Sequence, residues 1–87
     1  MPHVVATHEV KDVDHWLASP KRSEFFGPLG VTNIRTVVSP NDRLHVGITM
    51  DVPDLDALMA ALQTEAGAAA MEHDGVLPET LAIYIEA

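Results

Sequence analysis

The sequence predicts an α+β domain with the element order β-α-β-β-α-β, the ferredoxin-like split fold. Three observations predict it. Four stretches, His3–Val10, Val31 to Val38, Leu44 to Val52 and Leu81 to Glu86, are rich in β-branched residues or alternate apolar with polar ones. Two stretches between them, after Asp12 and after Asp54, place apolar residues at steps of three and four. The two central strand stretches are separated only by Ser39-Pro40-Asn41-Asp42, a turn by composition, so they form a hairpin and leave two right-handed crossovers for the helices.

Each element has its own local signals. Asp12 is an N-cap for a first helix on which Val13, Trp16 and Leu17 share a side. Pro20 cannot sit inside that helix, but Ser19-Pro20 is a good restart. The spacing therefore predicts a broken helix, about Val13 to Ala18 and then Pro20 to Phe26, stopped by Gly27-Pro28 and Gly30. Asp51 and Asp54 around Pro53 mark the start of the second helix, which carries one apolar stripe, Leu55, Leu58, Met59, Leu62, Ala66 and Ala69. Gly67 weakens it, Thr64-Glu65 can recap it, and Gly75 ends it in a left-handed conformation. Leu58 and Leu62 are expected to pack on Ile48 and Ile83.

The 87 residues make a single domain, 1–87. A chain of this size buries only about 60–65% of its unfolded surface, which favours a partner subunit. With no cysteine, disulfides are excluded. No apolar run approaches a membrane span, and the first residues lack the pattern of a signal peptide, so the expected location is the cytoplasm. The net charge of −8 and the scattered bases argue against nucleic acid and against an anionic membrane surface. There is no Gly-rich phosphate loop, nucleophile elbow or Walker pattern, and no cofactor is expected.

Period-two alternation sorts the strand residues onto two faces. Val4, Ala6, Ile34, Thr36, Val38, Val46, Ile48, Met50, Leu81, Ile83 and Ile85 share one nearly apolar face, suited to the helices. His3, Val5, Thr7, Glu9, Asn33, Arg35, Val37, His45, Gly47, Thr49, Ala82, Tyr84 and Glu86 share the other. That mixed face suits partial burial by a second chain, with a cleft left between.

The segments Val10-Lys11-Asp12-Val13-Asp14-His15-Trp16, Leu29-Gly30-Val31, Met50-Asp51-Val52-Pro53-Asp54-Leu55-Asp56-Ala57 and Met71-Glu72-His73-Asp74-Gly75-Val76 resemble, in order and spacing, the small proteins of the dimeric α+β barrel superfamily. That group includes antibiotic-biosynthesis monooxygenases, polyketide cyclases, stress-responsive barrels and haem-handling enzymes. The matching motifs are caps, a tryptophan in the first helix and a Gly-Val loop. The resemblance implies the fold and a homodimer, two chains making one α/β barrel, and leaves the function open.

The candidate catalytic residues are His45, Tyr84 and Arg35, with Thr7, Asn33, Gly47 and Thr49 as ligand-binding neighbours on the mixed face. Histidine titrates near neutrality and can carry a proton. Tyr84 and Arg35 can orient or stabilise an enolate-like oxygen. Arg35 is expected opposite Gly47, and Gly47 is expected to leave space beside His45. In superfamily members that cyclise polyketides a histidine and a tyrosine do the acid–base work, and the resemblance implies that role for His45 and Tyr84. Two functions follow: a cofactor-independent cyclase or monooxygenase acting on a small hydrophobic or aromatic ligand, or a non-catalytic dimer that binds a ligand or a protein. In the second, His45 and Arg35 sit in a dimer seam. The other histidines, His3, His8, His15 and His73, lack metal-site spacing, and no metal is expected; His8 is expected to face the helices, and His15 to lie in the first helix. His3 meets His45 only if their strands run parallel. Glu9 and Glu86 are rim carboxylates that could pair. Trp16, Phe25 and Phe26 read as core, and Lys21-Arg22 as a solvated turn.

Overall fold

The computed structural model describes residues 2–87. In order they form β1 (His3–Val10), α1 (Val13–Ala18), α2 (Lys21–Phe26), a single 3₁₀ turn at Gly27–Leu29, β2 (Thr32–Val38), β3 (His45–Asp51), α3 (Leu55–Leu62), α4 (Glu65–Asp74) and β4 (Val76–Ile85). The sheet order is β2-β3-β1-β4, with every neighbouring pair antiparallel. This is the split βαββαβ arrangement the element order predicts.

The helix boundaries follow from side-chain chemistry. The Asp12 carboxylate accepts hydrogen bonds from the Asp14 and His15 amides and starts α1. Ser19 Oγ accepts from the Lys21 amide at 3.1 Å, so the chain restarts as α2 across Pro20. Asp54 caps α3 through the Ala57 amide, and Thr64 caps α4 through the Gly67 amide. The second apolar stripe is thus divided between two helices. Gly67 is obligatory at the junction, because a Cβ there would stand 2.7 Å from the Ala61 carbonyl oxygen.

The core lies between the helices and one face of the sheet. Trp16, Leu58, Val4, Val10 and Val52 are its largest fully buried side chains, joined by Val46, Ile48, Met50, Phe26 and Val76. Leu62 and Ile83 pack on its margin. This is the face the alternation assigned to the helices, and His8 is buried on it as expected.

Two expectations about the strands need correction. The last strand begins at Val76, five residues before Leu81, and its register against β1 shifts between Thr7 and Glu9. Thr80 Oγ1 fills the gap in the ladder: it accepts from the Glu9 amide at 2.8 Å and donates to the Leu77 carbonyl at 2.6 Å. Pro78 is tolerated because β4 is an edge strand. Secondly, β1 and β3 run antiparallel, so His3 faces Asp51 and His45 faces Glu9. His3 and His45 therefore lie at opposite ends of the pair. Glu86, whose amide bonds the His3 carbonyl, is likewise remote from Glu9.

Candidate functional site

The register places all seven sequence-nominated residues on the face away from the helices, but it does not gather them. Tyr84, Val5, Thr49 and Arg35 form one row across the four strands. Ala82, Thr7, Gly47 and Val37 form the next. Arg35 therefore stands opposite Thr49, and Gly47 stands opposite Val37. His45 lies a further row on, beside Glu9. It is four residue positions along the sheet from the row of Tyr84, about 13 Å at strand rise. One chain thus does not bring His45 and Tyr84 into contact. The space above Gly47 is occupied as well: a Cβ there would meet the Ala6 carbonyl oxygen at 3.0 Å, Val37 Cγ2 at 3.1 Å and Thr7 Cγ2 at 3.4 Å. Gly47 lets two neighbours close over it rather than opening a cleft. Asn33, at φ 54°, donates to Asp51 at 2.6 Å, and His3 Nδ1 lies 2.9 Å from the same carboxylate. These contacts, Asn33 first, hold the Asp51 carboxyl below its ordinary range.

One grouping on this face was invisible to sequence spacing. Glu9, Asp42 and His45 bring one ligand atom each within 4.8 Å of one another. They come from β1, the hairpin turn and β3, so only strand pairing assembles them. Their donor set suits a divalent cation.

A recessed apolar space lies on the opposite side of the sheet. A cavity of about 70 Å³ lies between β1, β3 and β4 and the helices α1, α2 and α4, with the end of α3 at its edge. Ile48, Met50, Leu62, Met71, Leu81 and Ile83 give it apolar walls, and Trp16, Phe25 and Phe26 line its α1–α2 side. The aromatic residues are thus core and cavity lining at once.

Four polar side chains reach this cavity: His8, Lys21, Arg22 and Asp74. Lys21 pairs with Glu24 at 3.3 Å. Arg22 donates to the Trp16 and Leu17 carbonyls at 2.6 and 3.1 Å and lies 4.7 Å above the Trp16 ring. Instead of a solvated turn it is a strap from α2 to the end of α1, and burial lowers its pKa. Asp74 is 5% exposed; it accepts from Ser19 Oγ and lies 3.0 Å from His73 Nδ1. His8 differs from these three. It is 3% exposed, makes an edge contact with Trp16 at 5.5 Å, and its Nδ1 is buried without a hydrogen-bond partner. Burial is the main reason its pKa lies below 6.5, the Glu9 backbone and the Asp74 carboxylate opposing the shift and Arg22 and His45 reinforcing it. His8 is therefore a neutral imidazole at physiological pH, able to accept a proton among apolar walls.

A shallow outer groove adjoins the cavity between α2 and α4, lined by Lys21, Glu24, Phe25, Ala66, Ala69, Ala70 and His73. Lys21, Phe25 and Ala70 line both spaces. Phe25 and Ala70 are the apolar side chains at which the two spaces adjoin, and they serve here as the partition between them. Sequence reasoning placed His8 toward the helices but gave it no role. The missing signal is a cavity, which periodicity cannot show.

No protein-family model matches the chain, and no curated protein matches it significantly. Solved structures do. A Bordetella bronchiseptica protein described as a candidate antibiotic biosynthesis monooxygenase superposes with a TM-score of 0.74 at 15% identity, covering 99% of this chain and 94% of its own. A crystal structure of an antibiotic biosynthesis monooxygenase matches with a TM-score of 0.63 at 16% identity, over 100% of this chain and 97% of its own. An ethyl tert-butyl ether D family protein from Bacillus halodurans matches with a TM-score of 0.61 at 16% identity, over 100% and 98%. Along its whole length, then, this chain has the antiparallel α+β fold of the antibiotic biosynthesis monooxygenase structures, and the resemblance read from the sequence holds at the level of the fold.

Proposed function

We propose that the protein takes a small apolar or aromatic ligand into the cavity between the sheet and its helices, and acts on it as a cofactor-independent enzyme of the monooxygenase or cyclase type. The observation that carries this reading is the cavity itself: apolar walls, aromatic residues along one side and a neutral buried histidine within. Chains of the same fold are named as monooxygenases, which supports the class of chemistry without choosing a substrate. A neutral base among apolar walls is suited to removing a proton from a ligand whose anion reacts further.

The open face then has a different task. Val37 and Tyr84 are 46% and 59% exposed there, beside half-buried Val5 and Ala82. On this reading two copies pair through that face. His45, Arg35 and Tyr84, with Thr7, Asn33, Gly47 and Thr49, belong to the seam between them.

The deciding experiment uses toluene as a probe, followed through Trp16, the sole tryptophan. Toluene is expected to change Trp16 emission saturably. Ala70→Phe, which fills the partition, is expected to abolish the response, and His45→Asn to leave it intact. Loss of binding in His45→Asn with retention in Ala70→Phe would return the site to the open face. An equivalent role without chemistry, as a ligand carrier, shares the cavity; it differs only in releasing the ligand unchanged.

A further inference from the structure

The net charge of −8 attracts cations in general and selects no place for them. On the open face, geometry selects one. Glu9 and His45 stand directly opposite each other on β1 and β3, and such cross-strand neighbours hold their Cβ atoms about 4.5–5.5 Å apart. The hairpin turn brings a third group to this pair. The His45 amide donates to the Asp42 carbonyl at 3.0 Å, and the Leu44 amide donates to Asp42 Oδ1 at 3.0 Å. Ser39 fastens the same turn: its Oγ accepts from the Asp42 amide at 3.3 Å, and its own amide donates to the His45 carbonyl at 2.9 Å. Asp42 is thereby held beside Glu9 and His45, and one ligand atom of each lies within 4.8 Å of the others. Two carboxylates so close repel each other. Among the described residues no lysine or arginine pairs with either, and Arg43, next to Asp42 in the chain, reaches Asp14 at 3.6 Å instead.

We propose that Glu9, Asp42 and His45 bind one divalent transition-metal cation of the zinc type. The imidazole sets this trio apart from a cluster of acids. Imidazole nitrogen suits zinc, nickel and copper, whereas magnesium and calcium take oxygen ligands. Nitrogen and carboxylate oxygen bind zinc at about 2.0–2.2 Å, which sets ligand atoms about 3.4 Å apart around one tetrahedral ion. Asp42 and His45 are exposed and Glu9 is half-buried, so small side-chain rotations close the remaining gap. A carboxylate has two acceptor oxygens, so Asp42 keeps one on the Leu44 amide while the other takes the ion. Three protein ligands leave a further position to water, the arrangement of a zinc site with an open coordination position. The bound ion cancels the repulsion between the carboxylates and ties the hairpin turn to β1. Spacing along the chain predicts no metal, because strand pairing, and not spacing, assembles these donors. The site lies on the face away from the cavity, and its assignment is independent of the function proposed above.

The test is calorimetric titration of the whole chain with zinc chloride, with magnesium chloride as the hard-cation comparison. The wild type is expected to bind one zinc ion per chain, at least about tenfold more tightly than magnesium. Glu9→Gln, Asp42→Asn and His45→Gln each exchange a polar side chain for a polar one at an exposed or half-buried position. Each is expected to weaken zinc binding at least about tenfold. The rival site is the pair His15 and His73, whose ring centroids lie 5.4 Å apart, and His73→Gln is expected to leave zinc binding unchanged. Absence of zinc binding to the wild type overturns the assignment. So does magnesium bound as tightly as zinc, which would take the imidazole out of the site. Zinc binding that survives His45→Gln, or that His73→Gln abolishes, marks adventitious surface binding only and overturns it as well. The comparison of the two ions needs no substitution, so a variant that circular dichroism shows to be unfolded leaves the wild-type result to decide.

Discussion

Replacing His8 by phenylalanine should make the protein more stable, and more so in acid. The side chain is 3% exposed and its Nδ1 is sealed without a partner. Removing a buried unsatisfied polar atom returns about 1–3 kcal/mol. Phenylalanine keeps the edge contact that His8 makes with Trp16 at 5.5 Å. Its slightly greater bulk costs little, because the neighbouring cavity of about 70 Å³ can take it. The net expectation is a gain of about 1–2 kcal/mol at neutral pH, and each kcal/mol raises Tm by about 4–8 °C in a domain of this size. The pH dependence has a fixed sign. Burial lowers the folded-state pKa of His8 below 6.5, so the unfolded chain binds the proton more readily. The stability linked to a neutral His8 is complete above its unfolded pKa and is lost as pH falls through that value toward the folded one. The loss is at most about 1.4 kcal/mol per pH unit. Urea denaturation followed by circular dichroism, at one protein concentration and at several pH values from about 8 to about 5, measures both effects. The gap between His8→Phe and the wild type should widen in acid. A variant less stable than the wild type at neutral pH, or a gap that does not change with pH, would refute the placement of His8 as a buried and unpaired imidazole.

Three further outcomes are expected. Leu58 is 0% exposed in the centre of the core, so Leu58→Ala should cost about 2–5 kcal/mol in urea denaturation; a change under about 0.5 kcal/mol would show the wrong face of α3 has been assigned to the core. Val37→Asp places a charge in the middle of the open face beside Gly47 and should shift the mass seen by light scattering from dimer to monomer, with the circular dichroism spectrum retained. Phe25→Ala removes the partition between groove and cavity and should speed the association of small aromatic probes severalfold in stopped-flow measurements of Trp16 emission; an unchanged rate would place the access path elsewhere.

The fold was legible because its signals are local. Asp12, Asp54 and Thr64 cap helices where capping chemistry says they should, and β1 occupies the span that its residues mark out. The start of β4 was not legible, since Val76 to Thr80 holds a proline and a register shift repaired by one threonine hydroxyl. The site divides along the same line. Alternation puts His45, Arg35 and Tyr84 on one face correctly, but residues that share a face need not touch, and the row spacing keeps His45 and Tyr84 apart. Arg35 was set opposite Gly47 because the third strand was read from Leu44, which puts Leu44 opposite Val38, whereas the turn is longer and Val46 stands there. The cavity, the Arg22 strap and the grouping of Glu9, Asp42 and His45 arise from elements distant in sequence, and no spacing announces them.

The wall that α4 contributes has a consequence for how such a protein diversifies. Its sequence, EAGAAAMEHD, is dominated by alanine. Ala66, Ala69 and Ala70 border the groove, and Ala70 the cavity too. The fold's major anchors, Trp16, Leu58, Val4, Val10 and Val52, lie outside this helix. Exchanging an alanine for valine, leucine or serine along α4 thus resizes or re-tunes the chamber while leaving the main packing untouched. Alanine is the strongest helix former, so each such exchange costs at most about 0.7 kcal/mol of helix propensity. Selectivity and stability are in this way carried by separate parts of the chain, a division that lets single substitutions explore new ligands while the scaffold endures.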